Sequence, residues 1–98
     1  MTTTLPTQDQ VDRVAEFLAP DVIRVRLDIT TDWAGFPAMY FRVIVADESS
    51  SGDQFYEVAR QVEARFNQEM EPIFLEYLPI FKYRSKSEQA AIKERAWD

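Results

Sequence analysis

Cysteine and histidine are both absent from this 98-residue chain, and glycine occurs only twice, at Gly35 and Gly52. Without cysteine there are no disulfides and no thiol chemistry, which suits a reducing, cytoplasmic setting. The absence of both residues excludes Cys/His zinc sites and the Ser-His-Asp and Cys-His nucleophilic arrangements. Acid–base catalysis would fall to carboxylates, lysine or tyrosine. Two isolated glycines cannot write a Walker loop, a dinucleotide fingerprint or a GxxG nucleic-acid clamp. No run approaches eighteen apolar residues, so no membrane helix is expected. The N-terminus, MTTTLPTQDQ, lacks the basic and apolar regions of a secretory signal. The acid pairs Asp47/Glu48 and Glu69/Glu71 bracket polar turns. With no third ligand at a defined spacing they read as solvated acids rather than a cation site. The expectation is a non-enzymatic protein with no cofactor and no metal.

What is present is apolar material: a hydrophobic fraction of 46% with seven Phe, four Tyr and two Trp. That suffices for one globular domain over residues 1–98, with residues 1–6 as a flexible tail. Thr7 to Gln10 spell a capping box, and Val11, Val14, Ala15 and Leu18 follow at helical spacing until Ala19-Pro20 ends the helix. Residues 22–30, VIRVRLDIT, alternate: Ile23, Val25, Leu27 and Ile29 on one face, Arg24, Arg26, Asp28 and Thr30 on the other. In the second strand, 38–47, Met39, Phe41, Val43 and Val45 face the core, with Tyr40, Arg42 and Ile44 opposite. Ser51 to Gln54 resemble a second capping box, with Asp53 as an alternative N-cap. The helix they open carries Phe55, Val58, Ala59, Val62, Phe66 and Met70 in one stripe and closes at Glu71-Pro72. IFLEY and IFKYR then read as a third strand that is an edge, bulged, or split at Pro79. A third capping box, Ser85 to Glu88, opens a short helix over 87–97.

The order α-β-β-α-β-α predicts an α+β two-layer sandwich with helices on one face of a three-stranded sheet. A right-handed crossover makes strand 3 parallel to strand 2. The preferred strand order is 2-1-3, because strand 1 alternates most regularly; the alternative sets strand 3 beside strand 2.

Charge is unevenly distributed. Residues 22–30, 38–46 and 80–86 sum to +5 in a chain of net charge −6, so the rest carries −11. The strands are basic and the helices acidic. The plainest reading of Arg24, Arg26 and Arg42 is a solvated sheet face. Two functional readings compete with it. Arginine interleaved with aromatics can stack bases and neutralise phosphates, although an acidic chain repels polyanions at long range. The same residue types form hot spots at protein interfaces, and a homodimer through the sheet is a third alternative. The candidate partner-binding residues are Arg24, Arg26, Trp33, Tyr40, Arg42, Lys82, Arg84 and Trp97. In the loop DWAGFP, Trp33 and Phe36 are expected to cap the end of the core, with Gly35 at positive φ; a contact loop is the alternative. Trp97 is expected to dock on its own domain, the alternative being an arm that inserts into a partner.

The segments DWAGFPAMYFRVIV (32–45) and FKYRSKSEQAAIKERAW (81–97) together resemble a family of small uncharacterised bacterial proteins. These share an Asp-Trp-x-Gly-x-Pro-Ala turn and an Arg-Ser-x-Ser-Glu run before a closing Trp. The resemblance covers about a third of the chain and singles out Asp32, Trp33, Gly35, Pro37, Arg84, Ser85, Glu88 and Trp97. It implies an antitoxin-like partner of HEPN-type ribonuclease toxins and carries over no established functional residue. KH-like and BolA-like proteins have a comparable helix–strand order, which bears on topology alone.

Overall fold

In a computed structural model that describes residues 5–98, the first capping box forms as expected. The Thr7 hydroxyl accepts from Gln10 N, and Gln10 Oε1 accepts from Thr7 N at 2.9 Å. It opens α1 (Gln8–Glu16), which buries Val11, Val14 and Ala15 and stops three residues short of Pro20. Most of the expected N-terminal tail, residues 1–4, lies outside the described residues; Pro6 is buried.

Strands β1 (Val22–Thr31) and β2 (Pro37–Val45) pair antiparallel, and β3 (Leu78–Ser85) lies parallel to β2. The sheet order is β1-β2-β3, with β2 central, which overturns the preferred 2-1-3 arrangement. The physical reason is in β2 itself. Met39, Phe41, Val43 and Val45 are buried on one face, and Ala38 and Ile44 are buried on the other. A strand covered on both faces belongs in the middle, whereas the clean alternation of β1 marks one solvated face, which an edge strand satisfies equally well.

The alternation of β1 also breaks at its start. Register slips between Val22 and Arg24, leaving Ile23 as the extra residue of a bulge. Such an insertion reverses the facing of everything before it. Val22 therefore enters the core, and Ile23, expected there, is 45% exposed.

Helix α2 (Gly52–Phe74) runs farther than Pro72 suggested. The chain kinks at Met70 (φ −128°, ψ 19°) and resumes helical geometry, so Pro72 falls in the first turn of the resumed segment, where its missing N–H is not needed. Ile73 and Phe74 are consequently helical. Leu75–Tyr77 form a turn in which Glu76 N and Tyr77 N both donate to Ile73 O at 3.0 Å. The expectation that IFLEY is strand is thus corrected. At the other end of α2, Ser51 makes no side-chain cap, and Gly52 beside it enters the helix at φ +65°, outside helical geometry. The third capping box forms, Ser85 with Glu88, and opens α3 (Lys86–Ile92). The helix expected over 87–97 ends early, at a left-handed Lys93, and a 3₁₀ turn follows over Arg95–Trp97.

Helices α1 and α2 pack on the face that presents Val25, Phe41 and Val43. Phe41 is the hub. Its ring stacks on Phe81 with centroids 4.9 Å apart, tilts against Phe66 at 4.8 Å, and meets Phe74 edge-on at 5.9 Å. A buried aromatic at such a junction has no space to collapse into when truncated. Phe41→Ala is therefore expected to cost about 3–5 kcal/mol, seen as a fall in urea midpoint at unchanged denaturant slope.

Candidate functional site

The register across three strands sorts the outer-face side chains into rungs: Arg24–Ile44–Arg84, then Arg26–Arg42–Lys82, then Asp28–Tyr40–Ile80, then Thr30–Ala38–Leu78. All six of the basic and tyrosine candidates on the strands therefore share one face. They do not share one role.

The first rung is closed. The segment after α3 turns onto this face and sets Trp97, 5% exposed, against it. Arg24 donates through Nε and Nη2 to the Trp97 carbonyl at 3.2 and 3.0 Å and approaches the Asp98 carboxylate at 3.7 Å. From the opposite strand the Arg84 guanidinium lies 4.4 Å from the Trp97 ring centroid. Arg84 also donates to Glu94 at 2.7 Å and to Gln89 at 3.1 Å. Gln89 is buried, and its amide donates in turn to Glu94 O and Asp98. The indole and these bonds bury Ile44, an apolar residue that points away from the main core, to 2% exposure. Trp97 docks on its own chain, as expected. Arg24, Arg84 and Trp97 form an internal clasp, with the Arg24 side chain still 41% exposed at its edge.

The second rung is open at its two ends, Arg26 and Lys82, which are exposed, while the Arg42 side chain between them is 16% exposed. Arg42 pairs with Asp28 at 3.3 Å and lies 5.5 Å from the Tyr40 ring centroid, while Lys82 Nζ lies 5.4 Å from the same centroid. Both are within cation–π range. Among the described residues, Arg26 and Lys82 form no ion pair.

Beyond the last rung stands the β1–β2 loop, Asp32–Phe36. Its bonds close within itself. The Asp32 carboxylate accepts from Ala34 N and Phe36 N, both at 2.9 Å, Asp32 N donates to Phe36 O at 2.8 Å, and Gly35 N donates to Asp32 O at 3.0 Å. Gly35 adopts φ +86°, a region closed to most side chains. Trp33 is 97% exposed and Phe36 66%. The expectation that they cap the core is corrected: a tight, self-satisfied turn carries both rings past the end of the sheet. Leu78, which opens β3 at the same end, and Leu75 in the turn before it are exposed as well.

Two further groups position this architecture. Asp47 accepts from the backbone N and the hydroxyl of Ser87, tying the end of β2 to the first turn of α3. On the inner face, burial and the Glu63 carboxylate, which accepts from the Tyr83 hydroxyl at 2.8 Å, hold the Tyr83 phenol well above its ordinary range. No group of three potential metal ligands exists among the described residues, and no helix there is long and apolar enough to cross a membrane. Comparison of the chain with protein-family models, curated proteins and solved structures finds no match to any of them.

Sequence reasoning missed Gln89 and Glu94, because a polar residue on a short helix or turn carries no periodic signal of the cation it will meet; it placed Asp28 on the outer face of β1 but not its pairing with Arg42, which the cross-strand register sets. Asp32 and Phe36 did carry one, in the spacing Asp-x-x-Gly that favours an Asx-type turn.

The two tryptophans should separate in fluorescence. Trp97→Phe leaves an emission typical of solvated indole that acrylamide quenches readily; Trp33→Phe leaves a blue-shifted emission protected from it. Similar quenching in both variants would contradict the clasp. The Ser87 hydrogen bonds lower the Asp47 pKa below its ordinary 3.8. A depressed carboxylate stabilises the fold at pH above that ordinary value and ceases to as pH falls through the lower, folded one. The Ser87 amide resonance is expected to shift in that acid window, and in Asp47→Asn to lose the transition.

Proposed function

We propose that this chain is a non-enzymatic protein-binding module that masks or tethers a bacterial partner protein in the cytoplasm, in an antitoxin-like or regulatory role. The observation that carries the reading is the Asp32–Phe36 loop. An indole that is 97% exposed gains nothing for the isolated fold. Held on a loop whose backbone bonds are already satisfied, it meets a partner with little ordering cost, and that pre-organisation is what makes an aromatic anchor effective. Arg26 and Lys82, the exposed ends of the second rung, lie with Tyr40 on the same face as Leu78 and extend the patch with residue types favoured at interfaces. The antitoxin-like element comes from the family resemblance and from the acidic balance of the chain, which suits a basic partner.

A second reading, single-stranded nucleic acid on the basic rung, is supported by that same row of cations. Two features weigh against it. The Tyr40 ring already has two cations over it, which leaves less of its face for a base, and the net charge of −6 opposes approach of a polyanion.

Native copurification tests the proposal. A bound protein is expected, and the double variant Trp33→Ala with Phe36→Ala should weaken its capture at least about 30-fold, as loss of a hot spot does. Recovery of RNA or DNA alone would overturn it, and sensitivity to Arg26→Ala with Lys82→Ala would then support the nucleic-acid reading. A concentration-dependent rise in hydrodynamic size without any partner would point to a homodimer instead.

A further inference from the structure

The two edges of the sheet are finished differently. On β1, the Gln8 side chain donates through Nε2 to Val25 O at 2.7 Å and accepts from Leu27 N at 2.8 Å. It stands in for the peptide group of a neighbouring strand and closes the middle of that edge. On β3, the backbone of Ile80–Arg84 makes no hydrogen bond beyond its ladder with β2 among the described residues. Pro79 removes a backbone donor only near the start of that edge. Beside the unclosed edge runs a groove of about 690 Å³, lined by Phe55, Tyr56, Ala59, Glu63 and Ala64 of α2 and by Tyr83. Tyr83 is its only strand residue, so the groove opens between the flank of α2 and the edge of β3. Its floor is aromatic, with Phe55 and Tyr83 meeting edge-on at 5.3 Å. Two carboxylates border it. Glu57 is already paired with Arg60 at 2.6 Å. Glu63 is bonded by the neutral Tyr83 hydroxyl and, among the described residues, has no cation.

We propose that the β3 edge and this groove receive an extended segment of a partner protein, which adds to the sheet as a fourth strand. Its backbone completes the open ladder. Its alternate side chains enter the groove, an apolar residue against Phe55 and Tyr83 and, two positions away, a Lys or Arg against Glu63. An unpaired edge beside a helix-walled groove supplies the two elements of strand-addition recognition, backbone bonds for affinity and pockets for alternate side chains. Charge selects the occupant. A second copy of this chain would pair two acidic α2 flanks and two chains of net charge −6, whereas an apolar-x-basic strand complements the groove. The surface is distinct from the outer face and the Asp32–Phe36 loop, so this inference and the preceding one stand or fall separately.

Panning a displayed library of random twelve-residue peptides against the full chain tests it. Enriched peptides are expected to carry the apolar-x-basic pattern. A synthetic consensus peptide should shift the amides of Ile80–Arg84 and protect them from exchange. Glu63→Gln should weaken it about tenfold, as loss of a charged hydrogen bond does, and Ala64→Tyr, which fills the groove from an exposed helix position, should abolish it with the amide spectrum otherwise retained. Absence of enrichment over an unrelated bait would overturn the proposal, as would a consensus without a basic residue. Shifts confined to Trp33 and Tyr40 would overturn it while leaving the outer-face reading intact. Exchange-protected β3 amides in a chain that sediments as a dimer would assign the edge to a second copy instead.

Discussion

The rest of the structure depends on burying β2 from both sides. Its inner face, Met39 to Val45, is sealed by α1 and α2 around Phe41, and a single aromatic junction joins strand, crossover helix and neighbouring strand. Its outer face is apolar at only two places, Ala38 and Ile44. Ile44 is covered because the chain, after α3, turns back and lays Trp97 over it. A layer of two helices and one anchored indole thus completes a core that two layers alone would leave open at one end. The remaining outer face is left to solvent.

That division decides what the basic residues do. Arg24 and Arg84 are the outer posts of the clasp. Their guanidiniums supply planar, multidentate bonding to a carbonyl, a carboxylate and an indole face, which a lysine at the same places does not match. One rung farther along, Arg26, Arg42 and Lys82 sit at the same spacing with no arm above them. Composition treats these five residues alike. Their difference is set by which rung the Glu94–Asp98 segment meets.

Much of the architecture was legible along the chain. The capping boxes at Thr7 and Ser85, the α-β-β-α-β-α order, the inner face of β2 and the parallel placement of β3 all follow from local chemistry or from a handedness rule. The departures have local causes of a different kind. One inserted residue at Ile23 reversed the facing at the start of β1. The kink at Met70 moved Pro72 from the end of a helix to the start of a helical turn, and IFLEY went with it. Gly52 starts α2 at positive φ, and the Ser51 hydroxyl forms no cap. Each is a backbone event that a period-2 or period-3.6 pattern does not register, because the pattern counts side chains and assumes an unbroken backbone.

By itself the sequence determined that cysteine and histidine chemistry is missing, the order of helices and strands, and which face of β2 enters the core, since these depend on residue type and on spacing within one element. It also placed positive charge on the strands. Only the tertiary structure decided that β2 is central, that Trp33 stands in solvent while Trp97 is buried, and that Arg84 holds the chain's own C-terminal arm. The reason is common to all three. Burial of an indole or pairing of a guanidinium depends on what arrives from tens of residues away, and the partner's identity is written in the register between strands rather than in the neighbours along the chain.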